Sequence, residues 1–517
     1  MSNNPIFAGQ PVVFSDHDQP QSVEAPVNPW AVFLWVAVGT FMTMLDASIV
    51  NISLPSIAQT FQTPVSGAVE WVIIAYLVTI AATLLTFGRL SDLVGRKSVW
   101  LAGLALFTVG SGICGAADSL PLLIAARAFQ GLGGALLFAT SVAIISDSFS
   151  ADKRGFALGC NAVIIALGSS AGPALGGIIT EHWSWRWIFY VNLPLGIIGF
   201  VGSQKAFRNS ISTVRQRFDP LGAVLLAAGF ALLTLMLSFA PEWGWSSWRS
   251  ILCFGGSVIA LLAVPAVERR AANPIIDLAL LQNRIFRSAL ISMTLAMLAL
   301  FAVGFMLPFY FEELRGFSVA RSGLFLTALP LSIAFVAPVS GALADRVGSR
   351  WLASGGLAVA CVGLVAVAQL NERSSDWSIV WPLLLTGLGQ GLFMSPNARA
   401  LMNAAPAGEE GESSGLLATG RVLGQSLSVA LAGAIFAGLG GADAGQILIK
   451  ARIGSLGTTS DATAAGLKFL TGFHAALLVC AGIAAAGIFA ALTRGSETQS
   501  RVFAIPDTEQ FKTRRVL

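Results

Sequence analysis

"GRLSDLVGRK" at Gly88–Lys97 returns as "GALADRVGSR" at Gly341–Arg350, 253 residues further along the chain. Each copy joins two long apolar runs. Two further echoes keep nearly the same spacing. "FQGLGG" around Gln130 recurs loosely as "GLGQGLF" around Gln390, and "LGSSAGPALGG" (Leu167–Gly177) as "LGQSLSVALAG" (Leu423–Gly433), at offsets of 260 and 256. Three echoes at nearly one offset, each on a corresponding apolar run, predict two homologous halves.

The composition says what the halves are made of. Of 517 residues 55% are hydrophobic and only 11% charged, against roughly 25% charged in soluble domains, and the mean hydropathy is +0.75. Fourteen apolar runs reach spanning length. The chain reads as an all-α integral membrane protein: two pseudo-symmetric six-helix bundles plus two extra helices, an architecture of transporters. Residues 1–29, with five prolines and no basic start, predict a disordered cytoplasmic tail and not a signal peptide. Residues 30–204 form the first bundle. A linker, 205–287, holds the extra helices at 219–240 and 250–267. Residues 288–493 form the second bundle with an outer loop at 439–468, and 494–517 a cytoplasmic tail.

Orientation follows the basic residues. With the N-terminus inside, twenty-one of the 31 Lys and Arg fall in cytoplasmic segments, eight outside and two, Arg127 and Arg421, within spans. Both termini are therefore expected in the cytoplasm. The five cysteines stand singly in apolar runs, without metal or disulfide spacing. "GLGGALLFATS" lacks the Gly-Lys-Ser/Thr ending of a phosphate-binding loop. The sequence thus predicts neither an enzyme nor an ATP-driven pump, no metal, no cofactor and no nucleic-acid partner; the drive is an ion gradient.

The motifs together resemble the major facilitator superfamily, in its fourteen-helix drug:proton antiporter branch. "GRLSDLVGRK" resembles the superfamily's signature loop. "LDASIVNISLP", "RAFQGLGGA", "LGSSAGPALGG", "WRWIFYVNLPLG" and "GESSGLLATGRVLGQSLSVAL" resemble the branch, over roughly residues 30–495. The resemblance implies a proton-coupled antiporter of a bacterial inner membrane exporting hydrophobic, often cationic drugs. A dedicated transporter of one metabolite, such as an amino acid, siderophore or antibiotic precursor, is the alternative; a membrane sensor or scaffold is a third. The two extra helices link the halves, or contact lipid or an accessory protein of a Gram-negative envelope. A monomer is expected.

In the signature loop, Gly88 and Gly95 permit a tight turn, and Asp92 can face the positive end of a neighbouring helix, which the family implies is the thirteenth span near Gly411. Arg96 and Lys97 can pair with carboxylates or lipid phosphates. The loop reads as a latch between the halves, and Asp345 marks its degraded second copy. In the fifth span Gly168, Gly172 and Gly176 share one face and allow close helix approach, while Pro173 removes a backbone donor. The family implies a pivot favouring export; tight packing alone is the other reading.

A charge at the bilayer centre costs at least ~2.5–3.5 kcal/mol, so Asp46, inside "FMTMLDASIVNISLP" (Phe41–Pro55), must be neutral, paired or hydrated. Counting along the helices puts Arg127 at a similar depth, about 9 Å into its span against about 13 Å for Asp46 before Pro55. Burial favours the neutral carboxyl and a guanidinium the ionised one. Asp46 therefore reads as a proton carrier, with Arg127 setting its affinity. A static ion pair, or direct binding of a cationic substrate by Asp46, stay open. Arg421 reads as pairing with an acid or complementing an anionic substrate. Glu70, Glu312 and Glu313 read as solvated residues at the outer boundary. Tyr76, Thr79, Phe138, Asn161, Phe305 and Asn397 are candidate linings of a pocket between the halves.

Overall fold

The computed structural model describes residues 28–63, 68–207, 220–269, 280–405, 410–452 and 459–495. A chain in hydrocarbon must satisfy its backbone within itself, so each apolar run becomes a helix. The first half comprises α1 (Pro29–Thr60), α2 (Trp71–Val94), α3 (Arg96–Ala116), α4 (Leu120–Ser148), α5 (Ala151–His182), α6 (Trp187–Tyr190) and α7 (Asn192–Ala206), the last two forming one span. Next come α8 (Pro220–Trp243) and α9 (Trp248–Glu268). The second half comprises α10 (Arg284–Phe309), α11 (Val319–Val347), α12 (Ser349–Val367), α13 (Asp376–Asn403), α14 (Glu410–Gly438), α15 (Gly441–Arg452) and α16 (Thr459–Leu492). Fourteen of the described helical segments are long and apolar enough to cross a membrane. The face where α1 begins and α16 ends is called here the terminal face, and the opposite one the far face.

The two halves repeat each other down to single contacts. A Cβ at Gly131 of α4 would lie 2.8 Å from Tyr76 O and 3.0 Å from Thr79 Cβ of α2; one at Gly387 of α13 would lie 2.4 Å from Leu329 O and 2.9 Å from Ser332 Cβ of α11. Gly103 and Gly110 seat α3 on α4, and Gly356 and Gly363, each 253 residues later, seat α12 on α13. Gly95 and Gly348 both start a helix with positive φ, +98° and +86°, a conformation open to glycine. Helices in lipid have little hydrophobic drive to associate, so close backbone approach at small residues supplies the packing.

Between the halves α5 packs on α11 and α2 on α14. The extra helix α8 lies along the second of these seams, touching both α2 and α14, and α9 packs on α8 with Ile251, Leu252, Ile259 and Leu262 exposed as a lipid-facing row. The segment read as an outer loop, 439–468, is largely helical: it holds α15 and the first turns of α16. The two expected tails lie outside the described residues apart from their inner ends. There Arg494 is buried and its guanidinium donates to Asn397 Oδ1.

A Cβ at Gly133 would stand 2.4 Å from Phe107 N, and at Gly389 2.2 Å from Ala360 N, whereas at Gly255 and Gly482 it meets nothing within 4 Å. Alanine at Gly133 or Gly389 is therefore expected to cost about 1–3 kcal/mol, read as a lower thermal midpoint of the purified protein. Alanine at Gly255 or Gly482 should leave the midpoint unchanged or raise it.

Candidate functional site

Asp46 is fully buried in the middle of α1. Its Oδ2 accepts from Arg127 Nη1 of α4 at 2.7 Å, and its Oδ1 accepts from Gln130 Nε2 of α4 and Asn192 Nδ2 of α7, both at 3.0 Å. Ser111 Oγ of α3 accepts from the same two amides at 2.6 and 3.3 Å. Arg127 in turn donates through Nε to Val72 O of α2 at 2.9 Å and through Nη1 to Gln130 Oε1 at 2.6 Å. Its guanidinium lies 4.2 Å from the centre of the Tyr76 ring and 5.7 Å from that of Phe189. The carboxylate thus has one counter-charge and two neutral donors, and five spans meet at it. A buried charge persists only when paired and hydrogen-bonded in this way.

The depth count placed Asp46 opposite Arg127, and the structure brings them into contact. Gln130, Ser111 and Asn192 were not singled out. The spacing of Arg127 and Gln130, three apart on one helix face, was the available signal for Gln130.

The glycine row of α5 serves two partners. A Cβ would lie 2.8 Å from Met44 Cβ at Gly168, 1.8 Å from Ser48 Oγ at Gly172 and 2.6 Å from Ile49 Cγ1 at Gly176, all on α1. On another face, Pro173 O would be 2.1 Å from a Cβ at Gly323, and Val319 O 2.6 Å from one at Gly177, so α5 also presses on α11 of the other half. Just beyond, Glu181 Oε2 accepts from Ala320 N at 2.7 Å. Met44 and Ser48 lie on the side of α1 opposite Asp46, so one short piece of helix joins the polar network to the seam.

At the latch, Gly88 stands in open space. Arg96 donates to Ala143 O at 3.1 Å and pairs with Asp147, and Lys97 donates to Phe207 O at 2.7 Å; both bind their own half. The side chains of Asp92 and Asp345 lie outside the described residues. On the terminal side α2 and α14 touch at Leu85, 3.0 Å from a Cβ at Gly415.

The six candidate pocket residues do not converge. Tyr76 belongs to the Asp46 network. Thr79 opens onto a lateral groove of about 500 Å³ between α2, α4 and α8, lined by Trp71, Val78, Ile124 and Ala231. Phe305 is buried edge-to-face on Phe309, with ring centres 5.5 Å apart. Asn397 is fully buried, accepting from Ser292 Oγ at 3.0 Å and donating to Ala289 O at 2.9 Å. Asn161 is buried with Oδ1 unpartnered, and Phe138 is half-buried against the core.

Three carboxylates read as solvated are buried. Glu70 rests where a Cβ on Gly433 would be, 1.8 Å from its Oε1. Glu312 and Glu313 lie in a π-helical turn, Tyr310–Leu314, covered by α15 and α16. Arg421 is half-buried, and among the described residues no hydrogen bond or ion pair reaches it. Gly420 and Gly424 pack on α10, Gly415 on α2, and Gly433 on Glu70 just ahead of α2. Arg421 lies on the α14 face between those contacts, with Ser414, Ala418 and Gln425, also half-buried. Among the described residues no group of three His, Cys, Asp or Glu side chains is placed to hold a metal.

A family model described as "Major Facilitator Superfamily" matches residues 36–429 and, overlapping it, 289–510. The chain is 33% identical to "Riboflavin transporter RibZ" of Clostridioides difficile (strain 630), over 79% of this chain and 88% of that one. It is 32% identical to "Multidrug resistance protein Stp" of Mycobacterium tuberculosis (strain CDC 1551 / Oshkosh), over 77% and 74%. Its fold resembles the crystal structure of a bacterial homolog of the human lysosomal transporter Spinster, inward-facing and unoccupied, with a TM-score of 0.64, 16% identity, and coverage of 90% of this chain and 97% of that one.

Removing Arg127 alone strands a buried carboxylate. Arg127→Met is expected to cost about 3–5 kcal/mol of stability near neutral pH, seen as a lower thermal midpoint. The double variant Asp46→Asn/Arg127→Met, which removes the stranded charge as well, should recover part of the loss.

Proposed function

The chain belongs to the major facilitator superfamily, secondary transporters that move small molecules by alternating access, and from that premise we propose that it is a proton-coupled transporter of one polar or anionic metabolite, with Asp46 as the proton carrier. The observation that carries this reading is the division of charge. Asp46 is engaged by Arg127, Gln130 and Asn192, so it is not free to receive a cationic substrate, whereas Arg421 stands without a partner among the described residues on the α14 face between α10 and α2. A guanidinium there suits a carboxylate, phosphate or electron-rich planar ring. The relative named as a riboflavin transporter supports the same direction.

Coupling runs through α1. A proton on Asp46 cancels its attraction to Arg127 and loosens the network. The adjoining turns at Met44 and Ser48 are locked to Gly168 and Gly172 of α5, and α5 meets α11 at Pro173 and Gly177. The row Gly168, Gly172, Pro173 and Gly176 acts as the pivot. Gly88, Asp92, Gly95, Arg96 and Lys97, with Asp345 in the second copy, act as the latch on the terminal face. The excess of Lys and Arg in the segments read as cytoplasmic supports a terminal face, with both termini, on the cytoplasmic side of a bacterial membrane. The protein works as a monomer.

Export of hydrophobic, cationic drugs is the second reading, supported by the relative named as a multidrug resistance protein. Inside-out vesicles carrying a respiration-driven proton gradient separate the two. A pH-sensitive dye is followed while riboflavin, anionic aromatic compounds, amino acids and lipophilic cations are added in turn. A polar or anionic compound is expected to release protons with wild type, not with Asp46→Asn, and weakly with Arg421→Gln. A response to lipophilic cations alone, unaffected by Arg421→Gln, would favour the drug reading. A response that survives Asp46→Asn would remove the proton-carrier role.

A further inference from the structure

Far from Asp46, the π-helical turn Tyr310–Leu314 ends the span begun by α10 at the far face. Such turns widen the helix and gather at functional sites. Here the turn draws two consecutive carboxyls inward: Glu312 and Glu313 are 9% and 1% exposed. Glu312 Oε1 and Glu313 Oε2 are buried and have no hydrogen-bond partner. Glu313 lies against α15, where a Cβ on Gly445 would stand 1.9 Å from its Oε2.

The obvious counter-charge is engaged elsewhere. Arg452 of α15 donates to three backbone oxygens of the same turn, Glu312 O at 2.9 Å, Glu313 O at 3.0 Å and Leu314 O at 3.2 Å. It therefore caps the turn and fixes α15 over it. Arg315 bonds Tyr310 Oη and Ser374 O, Arg321 of α11 pairs with Asp376, and His474 of α16 bonds Leu370 O. Glu372 lies against Gly466 of α16, and the exposed Asp443, Lys450, Asp461 and Lys468 make no bond to either carboxyl. From the other half, Glu181 adds like charge near Glu312. It also holds the first turn of α11 through Ala320 N, the bond that clasps the two halves at this face.

Two adjacent carboxylates cannot both stay ionised, buried and unpartnered. We propose that the Glu312–Glu313 turn is a second proton-binding site, loaded from the far side of the membrane, whose protonation accompanies closure of the far face. The sign follows from linkage. Closing buries the carboxyls and needs the proton; opening hydrates them and lets it go. Acid on the far side therefore favours the far-closed form, and alkali the far-open one. This rests on alternating access and is independent of the role given to Asp46.

Hydrogen–deuterium exchange of the full-length protein in lipid nanodiscs, corrected for intrinsic pH dependence, tests it at residues 177–186 and 441–452. Wild type is expected to exchange there at least about threefold faster near pH 8 than near pH 5.5. Glu312→Gln/Glu313→Gln, which keeps neutral groups of the same shape, should exchange slowly at both. If the double variant loses its fold, seen as fast exchange through every span, Glu313→Gln replaces it under the same outcomes. The proposal fails if wild type shows no pH response, or if the glutamine variant keeps the wild-type response. It fails too if Asp46→Asn alone removes that response, which would assign the effect to the first site.

Discussion

A carboxylate at mid-membrane depth has to be answered by neighbouring side chains, and the answer to Asp46 organises the first half of this protein. Arg127, Gln130 and Asn192 reach it from α4 and α7, Ser111 ties both amides to α3, and Arg127 reaches back to the α2 backbone. Five spans are thereby held at one point by directional bonds, in a bundle otherwise joined by close glycine packing and by scattered single hydrogen bonds such as Trp100 Nε1 to Ser203 Oγ at 3.0 Å. Among the described residues of the second half the buried polar cluster is smaller, Asn397 joining Ser292, Ala289 and Arg494. That half's echo of the fold lies in glycines such as Gly356, Gly363 and Gly387, and its buried carboxyls sit at the far face in place of the middle. The two halves share a scaffold and divide the chemistry.

That division gives α5 its importance. It is pressed to α1 by three glycines and to α11 by Pro173 and Gly177. Distances this short leave no room for side chains, so a shift of α1 has to be transmitted. On the other seam α8 lies across α2 and α14, so the extra pair of helices braces the two halves along the side where they also meet at Glu70 and Gly433. A rocking motion about α5 and α11 would have to carry α8 and α9 with one half or slide along them.

Much of this was legible in the sequence, for physical reasons. Hydrocarbon allows few backbone solutions, so the fourteen spans followed from apolar length. The repeat was visible because the glycines that seat one helix on the next cannot be replaced without moving a backbone. The meeting of Asp46 and Arg127 followed from counting depth along two rigid helices. What stayed hidden depends on neighbours. Asn192 sits at the break between α6 and α7, which no apolar count reveals. Glu312 and Glu313 end an apolar run, where a carboxylate is normally wet; α15 covers them, and α15 is too polar and too short to register as a membrane element. Asn397 looked like a pocket residue until Arg494, counted as part of a tail, turned out to bond it.

The central claim is that Asp46, despite its three bonds, gains and loses a proton. Infrared difference spectroscopy of the protein in lipid, stepping between neutral and acidic buffer, reads protonated carboxyl groups directly through their C=O stretch. The account predicts a band typical of a carboxyl in an apolar setting that grows on acidification and is weaker in Asp46→Asn than in wild type, the difference being the share of Asp46 and the rest that of Glu312 and Glu313. The same band at full strength in both proteins would show that Asp46 does not titrate, and would leave it as a fixed ion pair holding the first half together.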